Sequence, residues 1–493
     1  MSGLSHISDI CYSIGSKIIS DMPIYKRGRT EYLMQKEKKA NSMDMIHGSL
    51  WNKILLFALP LAASSILQQL FNSVDTAVVG RFASSQALAA VGSNSSLISL
   101  MINLFLGVSL GSNVVIAHYI GQGSEKNIKA AVHTAMLVAV LCGFFVLLFG
   151  QVIARPVLLL MGTPEVMSCP EDVIDLAVLY LRIYLLGMPC IMLYDFGASI
   201  LRSTGDSKRP LYALIAAGII NTILNLILVI SFGMGVSGVA IATVISNMVS
   251  SGIVLYILLH EQEPIRVELK QLSIVPKELK KILMIGIPAG LQGMMFSIAN
   301  VCIQSAINSF GSNAIAGSAA ALNFEFFAYF IVNAFAQTTV TFTSQNYGAG
   351  EVDRCKKVFR LNMVFSLVFC GMLSAVFVLG RGFFLRLYTT DEAVLVFAAQ
   401  RLLIVTTLEL LTSTYEISAG AMRGLGHSLL PAIITCVGSC LLRLVWIATA
   451  CRLVHDFGLL MIIYPISWVI TGTAMLTAYF CIRKKCFKSL GRF

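Results

Sequence analysis

Four ionisable side chains interrupt the long apolar segments in the second half of this chain. They are Glu325, Arg401, Glu409 and Arg443. A charge at the centre of a bilayer costs about 2.5–3.5 kcal/mol on insertion scales, so each embedded charge is a candidate for moving ions or protons. The alternative is a buried ion pair that fixes helix packing, with Arg443 neutralising one of the two acids.

A fifth ionisable residue, Asp75, lies in the first apolar segment of the chain. At 1.5 Å per helical residue it lies roughly 36 Å along the helix from Trp51, near the outer end of that segment. A carboxylate at this position could hold a proton or a cation. It could also be an ordinary solvated aspartate at the edge of the membrane.

Amides and hydroxyls also recur within the apolar segments of the first half. Gln68 precedes Asp75, Asn221 and Asn225 lie one helical turn apart in the fifth segment, and Thr243 lies in the sixth. Polar groups on one helix face suit either hydrogen bonds between helices or a water-filled cavity.

The composition shows which elements must carry these side chains. Of 493 residues, 57% are hydrophobic and 12% are charged, and the mean hydropathy is +0.80. Soluble domains have about twice that share of charged residues. Apolar runs of 18 or more residues recur along the chain, each long enough to cross a ~30 Å hydrocarbon core. A membrane β-barrel would instead need alternating segments of ~10 residues, which are absent.

The apolar runs predict twelve transmembrane helices. We place them at 52–79, 87–119, 128–150, 174–202, 209–231, 237–260, 280–308, 314–346, 355–379, 393–422, 428–450 and 458–482. An even number of crossings puts both termini on the same side of the membrane.

An internal repeat divides these helices into two sets of six. The segment KILLFALP at 53–60 returns as KILMIGIP at 281–288, and each copy leads through two crossings to a Gly-x-Gly loop, at 121–123 and 348–350. Tyr194, Asp195, Arg202, Gly205 and Pro210 are echoed in order by Tyr415, Glu416, Arg423, Gly426 and Pro431. Six crossings per copy predict a parallel repeat about an axis along the membrane normal.

The repeat and the polar stretches predict the domain limits. We expect a disordered cytoplasmic tail at 1–50, an N-lobe at 51–260, a linker at 261–279, a C-lobe at 280–485 and a short tail at 486–493. Whether translation begins at Met1 or at an internal methionine is open.

The charge distribution predicts the orientation. Lys and Arg concentrate in loops that share a side with both termini, which the positive-inside rule assigns to the cytoplasm. The net charge of +11 therefore indicates membrane orientation rather than nucleic-acid binding.

Matched positions in the two copies suggest structural or gating roles. Pro60 and Pro288 each remove a backbone donor and allow a helix to bend. Asp195 and Glu416 each precede an arginine, Arg202 or Arg423, by seven residues. This spacing is ~10.5 Å on one face and too long for direct pairing.

Motifs of catalysis are absent from the sequence. It has no G-x-x-x-x-G-K-[ST] phosphate loop and no H-E-x-x-H metal motif. The Gly-x-Gly loops follow membrane helices rather than strands, so tight turns are the simpler interpretation. The twelve cysteines form no CxxC pair, and we interpret Cys436 and Cys440 as reduced packing residues. We therefore expect neither an enzyme nor a bound cofactor.

Three segments give the sequence a resemblance to a known family. They are LPLAASSILQQLFNSVDTAVVGR at 59–81, the loop at 121–123, and LYDFGASILRSTGDSKRPLYALI at 193–215. The chain resembles the multidrug and toxic compound extrusion (MATE) family from about residue 45 to 485. The VDT-x-x-x-G arrangement from Val74 to Gly80 makes the likeness specific.

The resemblance implies two six-helix lobes around a central cavity and antiport of substrate against H⁺ or Na⁺. Asp75 matches the carboxylate of the family's first helix, Gln68 a pocket glutamine, Asn221 the asparagine of the fifth helix, and Thr243 a threonine of the sixth.

Two departures from the family pattern affect the choice of coupling site. Proton-coupled members of the archaeal type carry Asp where this chain has Asn225. Members with a C-lobe Na⁺ site carry Glu in the seventh helix and Asp in the tenth, where this chain has Phe296, Ser297 and Thr412. Glu325, Glu409, Arg401 and Arg443 are then an alternative coupling site in the C-lobe.

The expected function is export of lipophilic, cationic drugs or toxic metabolites across the cytoplasmic membrane by alternating access. The expected partners are the lipid bilayer, small organic substrates and H⁺ or Na⁺, with the protein acting as a monomer. The alternative is a flippase or exporter of a lipid-linked precursor, for which a cavity lined by several cations would be needed.

Overall fold

The structure is a computed structural model that describes residues 43–83, 85–160 and 173–489. The side chains of 85, 88, 93, 96, 160 and 489 are not part of this description. Long apolar stretches with few charges dominate the chain, and a lipid environment requires their backbone groups to be hydrogen-bonded internally. The described residues are accordingly almost entirely helical.

The α-helices are numbered here in chain order. They are α1 Leu50–Phe82, α2 Ser85–Gln122, α3 Glu125–Leu160, α4 Val173–Leu186, α5 Met188–Ser203, α6 Lys208–Asn225, α7 Gly235–Leu259, α8 Pro276–Asn308, α9 Ser312–Gly348, α10 Val352–Leu379, α11 Arg381–Arg386, α12 Glu392–Arg401, α13 Thr412–Gly424, α14 Leu429–Thr435, α15 Leu442–Ala448, α16 Ala450–Leu453, α17 Phe457–Met461 and α18 Ile463–Ser489. Short π-helical segments occupy Leu226–Ser231, Leu402–Thr406 and Cys436–Leu441, and 3₁₀ turns occupy Leu269–Gln271 and Glu409–Leu411.

Eleven helical stretches within the described ranges are long and apolar enough to cross a membrane. A further pair, α4 and α5, meets the same test together but is bent by 47° at Gly187. Pro189, in the first turn of α5, explains the bend because it lacks an N–H and its ring clashes with the preceding turn. With this pair as one span, the described residues hold twelve crossings, which coincide with the twelve predicted from the sequence. Of the predicted tails at 1–50 and 486–493, residues 1–42 and 490–493 lie outside the described residues, and 486–489 belong to α18.

The sequence repeat is also a repeat of backbone geometry. In the first copy, Gly205 N–H donates to the Arg202 carbonyl (3.0 Å) and Asp206 N–H donates to the Leu201 carbonyl (3.2 Å). In the second copy, the equivalent bonds join Gly426 to Arg423 (2.8 Å) and His427 to Met422 (2.9 Å). Both are Schellman motifs closed by a glycine of positive φ, 93° and 85° respectively.

By spatial proximity the chain groups into two compact units. Among the described residues, the first comprises those up to Ala62, Ala117–Gly123 and those from Ile287 onward, and the second comprises those within Ala63–Ile116 and Ser124–Gly286. Phe57, Phe342 and Tyr479 belong to the apolar core of the first unit, and Val79 and Val239 to a core cluster of the second. The lobe limits predicted from the duplication stay a prediction.

Within the first unit, the two Gly-x-Gly motifs do more than close turns. Their last residues, Gly123 and Gly350, have positive φ as tight turns require. Their first residues mark a close crossing of α2 and α9. A Cβ at Gly121 would overlap the Gln345 carbonyl oxygen, and a Cβ at Gly348 would overlap the His118 carbonyl oxygen. The crossing therefore requires glycine at both positions.

We predict that Gly348→Ala lowers the thermal stability of the purified protein. The added methyl group meets backbone atoms that cannot rotate away, and overpacking typically costs about 1–3 kcal/mol. The measurement is a thermal unfolding curve in detergent. Gly92→Ala is the control, because Gly92 lies in α2 with open space around it. Equal melting temperatures for Gly348→Ala and wild type would contradict the close-crossing interpretation.

Candidate functional site

Asp75 lies at the centre of a polar cluster built by three helices of the second unit. Asp75 comes from α1, Asn221 and Asn225 from α6, and Thr243 from α7. The Asn225 amide donates to Asp75 Oδ1, and the Thr243 hydroxyl lies 3.4 Å from Asp75 Oδ2. Asn225 Nδ2 also lies 3.1 Å from Asn221 Oδ1, and Asn221 Nδ2 lies 3.5 Å from the Thr243 hydroxyl. Four residues from separate parts of the sequence thus form one hydrogen-bonded group.

Burial removes this group from solvent. Asp75 is 8% exposed and Asn225 is fully buried. The alternative of a solvated interfacial aspartate is therefore wrong. Since a carboxylate removed from water is costly unless it is hydrogen-bonded or neutralised, the state of Asp75 depends on its immediate neighbours.

The charge of the cluster is that of a single carboxylate. Within the described ranges, no Lys or Arg side chain forms an ion pair with Asp75. The other members are neutral amides and a hydroxyl. One uncompensated negative charge matches one proton or one monovalent cation. Among the described residues no group of three or more His, Cys, Asp or Glu could hold a metal ion.

The Asn225 amide offers a switchable hydrogen bond. Its Nδ2 faces the carboxylate and Asn221, while its Oδ1 is buried and has no hydrogen-bond partner in the part of the chain that the structure describes. Rotation of the amide by a half turn would present Oδ1 to Asp75, which can use that acceptor only if it carries a proton. The amide can therefore serve either an ionised or a protonated Asp75.

Two tyrosines of α4 extend this site, and sequence reasoning missed them. Tyr180 and Tyr184 stack with ring centroids 6.1 Å apart, and both lie within electrostatic reach of Asp75. The signal was available, because aromatic residues four apart share a helix face. Gln68, in contrast, lies two turns before Asp75 on α1 and is exposed.

The second set of predicted residues forms a separate charge cluster in the first unit. Arg401 of α12 makes a bidentate pair with Glu325 of α9, at 2.6 and 2.8 Å, and also donates to the Ser318 hydroxyl. Arg401 is 2% exposed and Glu325 is 6% exposed. This contact is a buried ion pair, which is the alternative to a coupling site that the sequence left open for these residues.

Glu409 and Arg443 are the other two members of this cluster. Among the described residues they form no direct ion pair with each other. Arg443 donates to the Ser467 hydroxyl at 3.1 Å, and its guanidinium lies 4.4 Å from the ring centroid of Tyr464. Glu409 is 5% exposed and lies within electrostatic reach of Glu325, Arg401 and Arg443. The cluster therefore combines one compensated ion pair, Glu325–Arg401, with an acid and a base that are not directly paired.

Irregular helix geometry accompanies the buried polar residues. A π-helical segment begins directly after Asn225, another begins directly after Arg401, and a third ends two residues before Arg443. π-segments interrupt the regular hydrogen-bond ladder and are frequent at functional sites. The sequence pattern gave no indication of them.

The residues predicted to be structural or gating lie at helix interiors and ends. Pro60 lies inside α1 and Pro288 inside α8. Asp195 and Arg202 share α5, as Glu416 and Arg423 share α13, and no ion pair within either couple is present in the described residues. Instead, Tyr329 donates to Glu416 (3.2 Å) and Arg423 donates to Gln292 (2.7 Å).

We predict that Arg401→Met destabilises the protein by about 3–5 kcal/mol, because it leaves Glu325 charged and unpaired in an apolar interior. The double variant Arg401→Met/Glu325→Gln is expected to recover most of this loss. Thermal unfolding in detergent measures both. Arg381→Met, which removes an exposed arginine, is the control. A double variant no more stable than Arg401→Met would show that the two side chains do not act as a pair.

Comparisons with known proteins support this arrangement of helices. The sequence profile of the MatE family matches residues 60–227 and 288–449. The chain is 31% identical over 405 residues to the probable multidrug resistance protein YoeA of Bacillus subtilis, covering 78% of this chain and 84% of that protein. It is 26% identical over 331 residues to a FAD transporter of Shewanella oneidensis, covering 66% and 71%.

A solved structure described as MATE in the bent conformation aligns with a TM-score of 0.80 at 20% identity, covering 91% of this chain and 97% of that one. This likeness confirms the predicted fold class, an all-α polytopic membrane protein. The family match spans both copies of the internal repeat. Asp75, Asn221 and Asn225 of the polar cluster lie within the matched residues, and Thr243 lies between the two matched segments. The chain belongs to the MatE family of multi-pass membrane transporters.

Proposed function

We propose that this protein is an antiporter that exports lipophilic, cationic compounds in exchange for H⁺ or Na⁺, and that Asp75 is the coupling residue. The observation that carries the proposal is a buried carboxylate with neutral hydrogen-bond partners and no paired base among the described residues. Such a group can gain and lose a cation, whereas the neutral Glu325–Arg401 pair is already compensated.

The donors around Asp75 favour H⁺ over Na⁺ as the coupling ion. A sodium site is built from several oxygen atoms that converge on one point, but here an amide N–H₂ and a hydroxyl donate to the carboxylate. Transfer out of water favours the neutral form of a carboxylic acid. The Asn225 amide can then rotate so that its Oδ1 accepts a hydrogen bond from the protonated carboxyl group.

The transport cycle follows from this exchange. With Asp75 ionised, the cluster attracts an organic cation that has entered from the cytoplasm. Protonation of Asp75 removes that attraction, releases the substrate to the outside and favours the return of the empty transporter. A ligand can shift such an equilibrium only by its difference in affinity between the two states.

Pro60 and Pro288 are the proposed bending points. Pro60 lies two residues before the position at which α1 passes from the first compact unit to the second, and Pro288 lies two residues after the corresponding position in α8. Proline removes one backbone hydrogen bond, which makes a change of helix direction less costly at these positions. Asp195, Glu416, Arg202 and Arg423 would hold the helices that must move as rigid bodies.

The remaining features of the proposal follow from the sequence. Both termini face the cytoplasm, the protein lies in the cytoplasmic membrane and acts as a monomer, and no cofactor is needed besides the coupling ion.

Relatives named as multidrug resistance proteins support a broad range of organic substrates. One relative is named as an FAD transporter. To carry an anionic substrate of that kind, or a lipid-linked precursor, this chain would need uncompensated cations in its cavity. Arg401 does not supply one, because Glu325 neutralises it.

We predict that Asp75→Asn abolishes efflux driven by a pH gradient in proteoliposomes while leaving expression and folding unchanged. The substitution keeps the shape of the side chain but removes the titratable group. Efflux of a fluorescent organic cation under an imposed H⁺ or Na⁺ gradient measures the effect. Asp175→Asn is the matched control, because Asp175 lies on α4 with a side chain that is 63% exposed.

Two results would contradict this assignment. Normal H⁺-driven efflux by Asp75→Asn would remove Asp75 from the mechanism. Efflux by the wild-type protein under a Na⁺ gradient but not under a pH gradient would contradict the choice of proton.

We predict that Thr243→Val, which removes one donor to Asp75 at nearly constant volume, slows H⁺-driven efflux by about tenfold. The reason is that one hydrogen bond to a charged group is worth about 1.5–3 kcal/mol, of which this long contact supplies the lower part. Initial efflux rates measure the change. A rate as low as that of Asp75→Asn would mean that Thr243 binds the ion itself.

A further inference from the structure

A cationic pocket lies where the first helix begins, outside the sites already described. It has a volume of about 410 Å³ and is lined by Gly48, Trp51, Arg354, Lys357, Arg360 and Leu361, among others. This volume is in the range of small-molecule sites. The lining brings the segment before α1 together with the first two turns of α10, both in the first compact unit.

Arg354 builds one wall of this pocket. Its guanidinium donates to the carbonyl oxygens of Gly48 (3.0 Å) and Met45 (3.0 Å) and to Asn346 Oδ1 (3.1 Å). These bonds fix the segment before α1 against α10. Arg354 is thus held in place by neutral acceptors.

The other two cations are exposed and uncompensated. Lys357 and Arg360 form no ion pair within the part of the chain that the structure describes, and no carboxylate is among the residues that line the pocket. The nearby acids have other partners: Asp353 pairs with Lys356 at 3.0 Å, and Asp44 and Glu351 interact with Arg354. Lys357 and Arg360 lie one turn apart on α10, so their two positive charges repel each other unless an anion lies between them.

An apolar row leads away from the pocket along the same helix. Arg360 is followed at intervals of four residues by Val364, Val368, Met372 and Val376, which are 48–54% exposed. Each step of four residues turns only about 40° around the helix, so the row continues from the cation as a slanted strip along α10. On the α1 side, Trp51 is 53% exposed and contacts Phe365 edge to face at 4.6 Å. Tryptophan is enriched at the interface between headgroups and hydrocarbon.

We propose that this pocket binds the phosphate headgroup of an anionic phospholipid, with an acyl chain lying along the exposed row of α10. The cations provide the charge for the phosphate, Trp51 marks the depth of the headgroup, and the row from Val364 to Val376 accepts the hydrocarbon. A free phosphate would use the cations but leave the apolar row without a role. Basic pockets between transmembrane helices suit anionic headgroups for the same reason. This lipid site is independent of the transport mechanism proposed above.

The test compares binding of phosphatidylglycerol, phosphatidylcholine and inorganic phosphate to the full-length protein in detergent, by native mass spectrometry and by thermal stability. We expect phosphatidylglycerol to be retained and to raise the melting temperature more than the other two. Each near-surface cation changes lipid binding by about fivefold, so Lys357→Gln/Arg360→Gln should bind phosphatidylglycerol about 25-fold more weakly.

Two further variants control for charge and folding. Lys270→Gln/Lys280→Gln removes two exposed lysines elsewhere and should bind like wild type. Lys357→Arg/Arg360→Lys keeps both charges and should also retain the lipid. Equal binding of phosphatidylcholine, equal stabilisation by inorganic phosphate, or wild-type lipid binding by Lys357→Gln/Arg360→Gln would overturn the proposal. Rising salt should weaken lipid binding to the wild type, and salt-independent binding would also overturn it.

Discussion

The cost of burying a charge in an apolar helical bundle is the constraint on which the rest of this structure depends. A buried acid must be paired, hydrogen-bonded or protonated, and the two clusters of this protein satisfy that requirement differently. Glu325 is neutralised by a bidentate contact with Arg401. Asp75 has amide and hydroxyl partners, which stabilise a charge but do not cancel it. The first arrangement is self-sufficient, whereas the second leaves the charge of Asp75 without a basic partner among the described residues, which is why we propose Asp75 as the coupling residue.

The same constraint explains where the helices depart from regular geometry. A transmembrane helix satisfies its own backbone hydrogen bonds, so an interruption inside the bundle needs compensating partners. The π-segments beside Asn225 and Arg401 and the break between α4 and α5 all occur close to buried polar side chains or at a proline. Such interruptions place donors and acceptors at angles that a regular helix cannot offer. The polar chemistry and the irregular backbone therefore occur together.

Small residues and loop glycines serve the packing that holds these groups in place. The close crossing of α2 and α9 at Gly121 and Gly348 places the backbones in contact, which is the usual way for helices to associate where lipid supplies little hydrophobic driving force. At the other extreme, Lys357 and Arg360 lie on an exposed helix face with no protein partner among the described residues. Their position beside Trp51 and an exposed apolar row suits the charged surface of a membrane, and this is the reason for proposing a lipid as their partner.

The sequence by itself determined the helical class, the twelve crossings and the internal repeat, because hydrophobic length and periodicity are local properties of the chain. It also identified Asp75, Asn221, Asn225 and Thr243 as polar residues in apolar surroundings. Their convergence on one carboxylate was decided by the tertiary structure, since they lie up to 168 positions apart. The pairing of Arg401 with Glu325, the contribution of Tyr180 and Tyr184, and the exposure of Gln68 were decided in the same way. Which polar side chains meet depends on how each helix is rotated about its axis, and that rotation is set by packing against neighbouring helices rather than by residues nearby in the sequence.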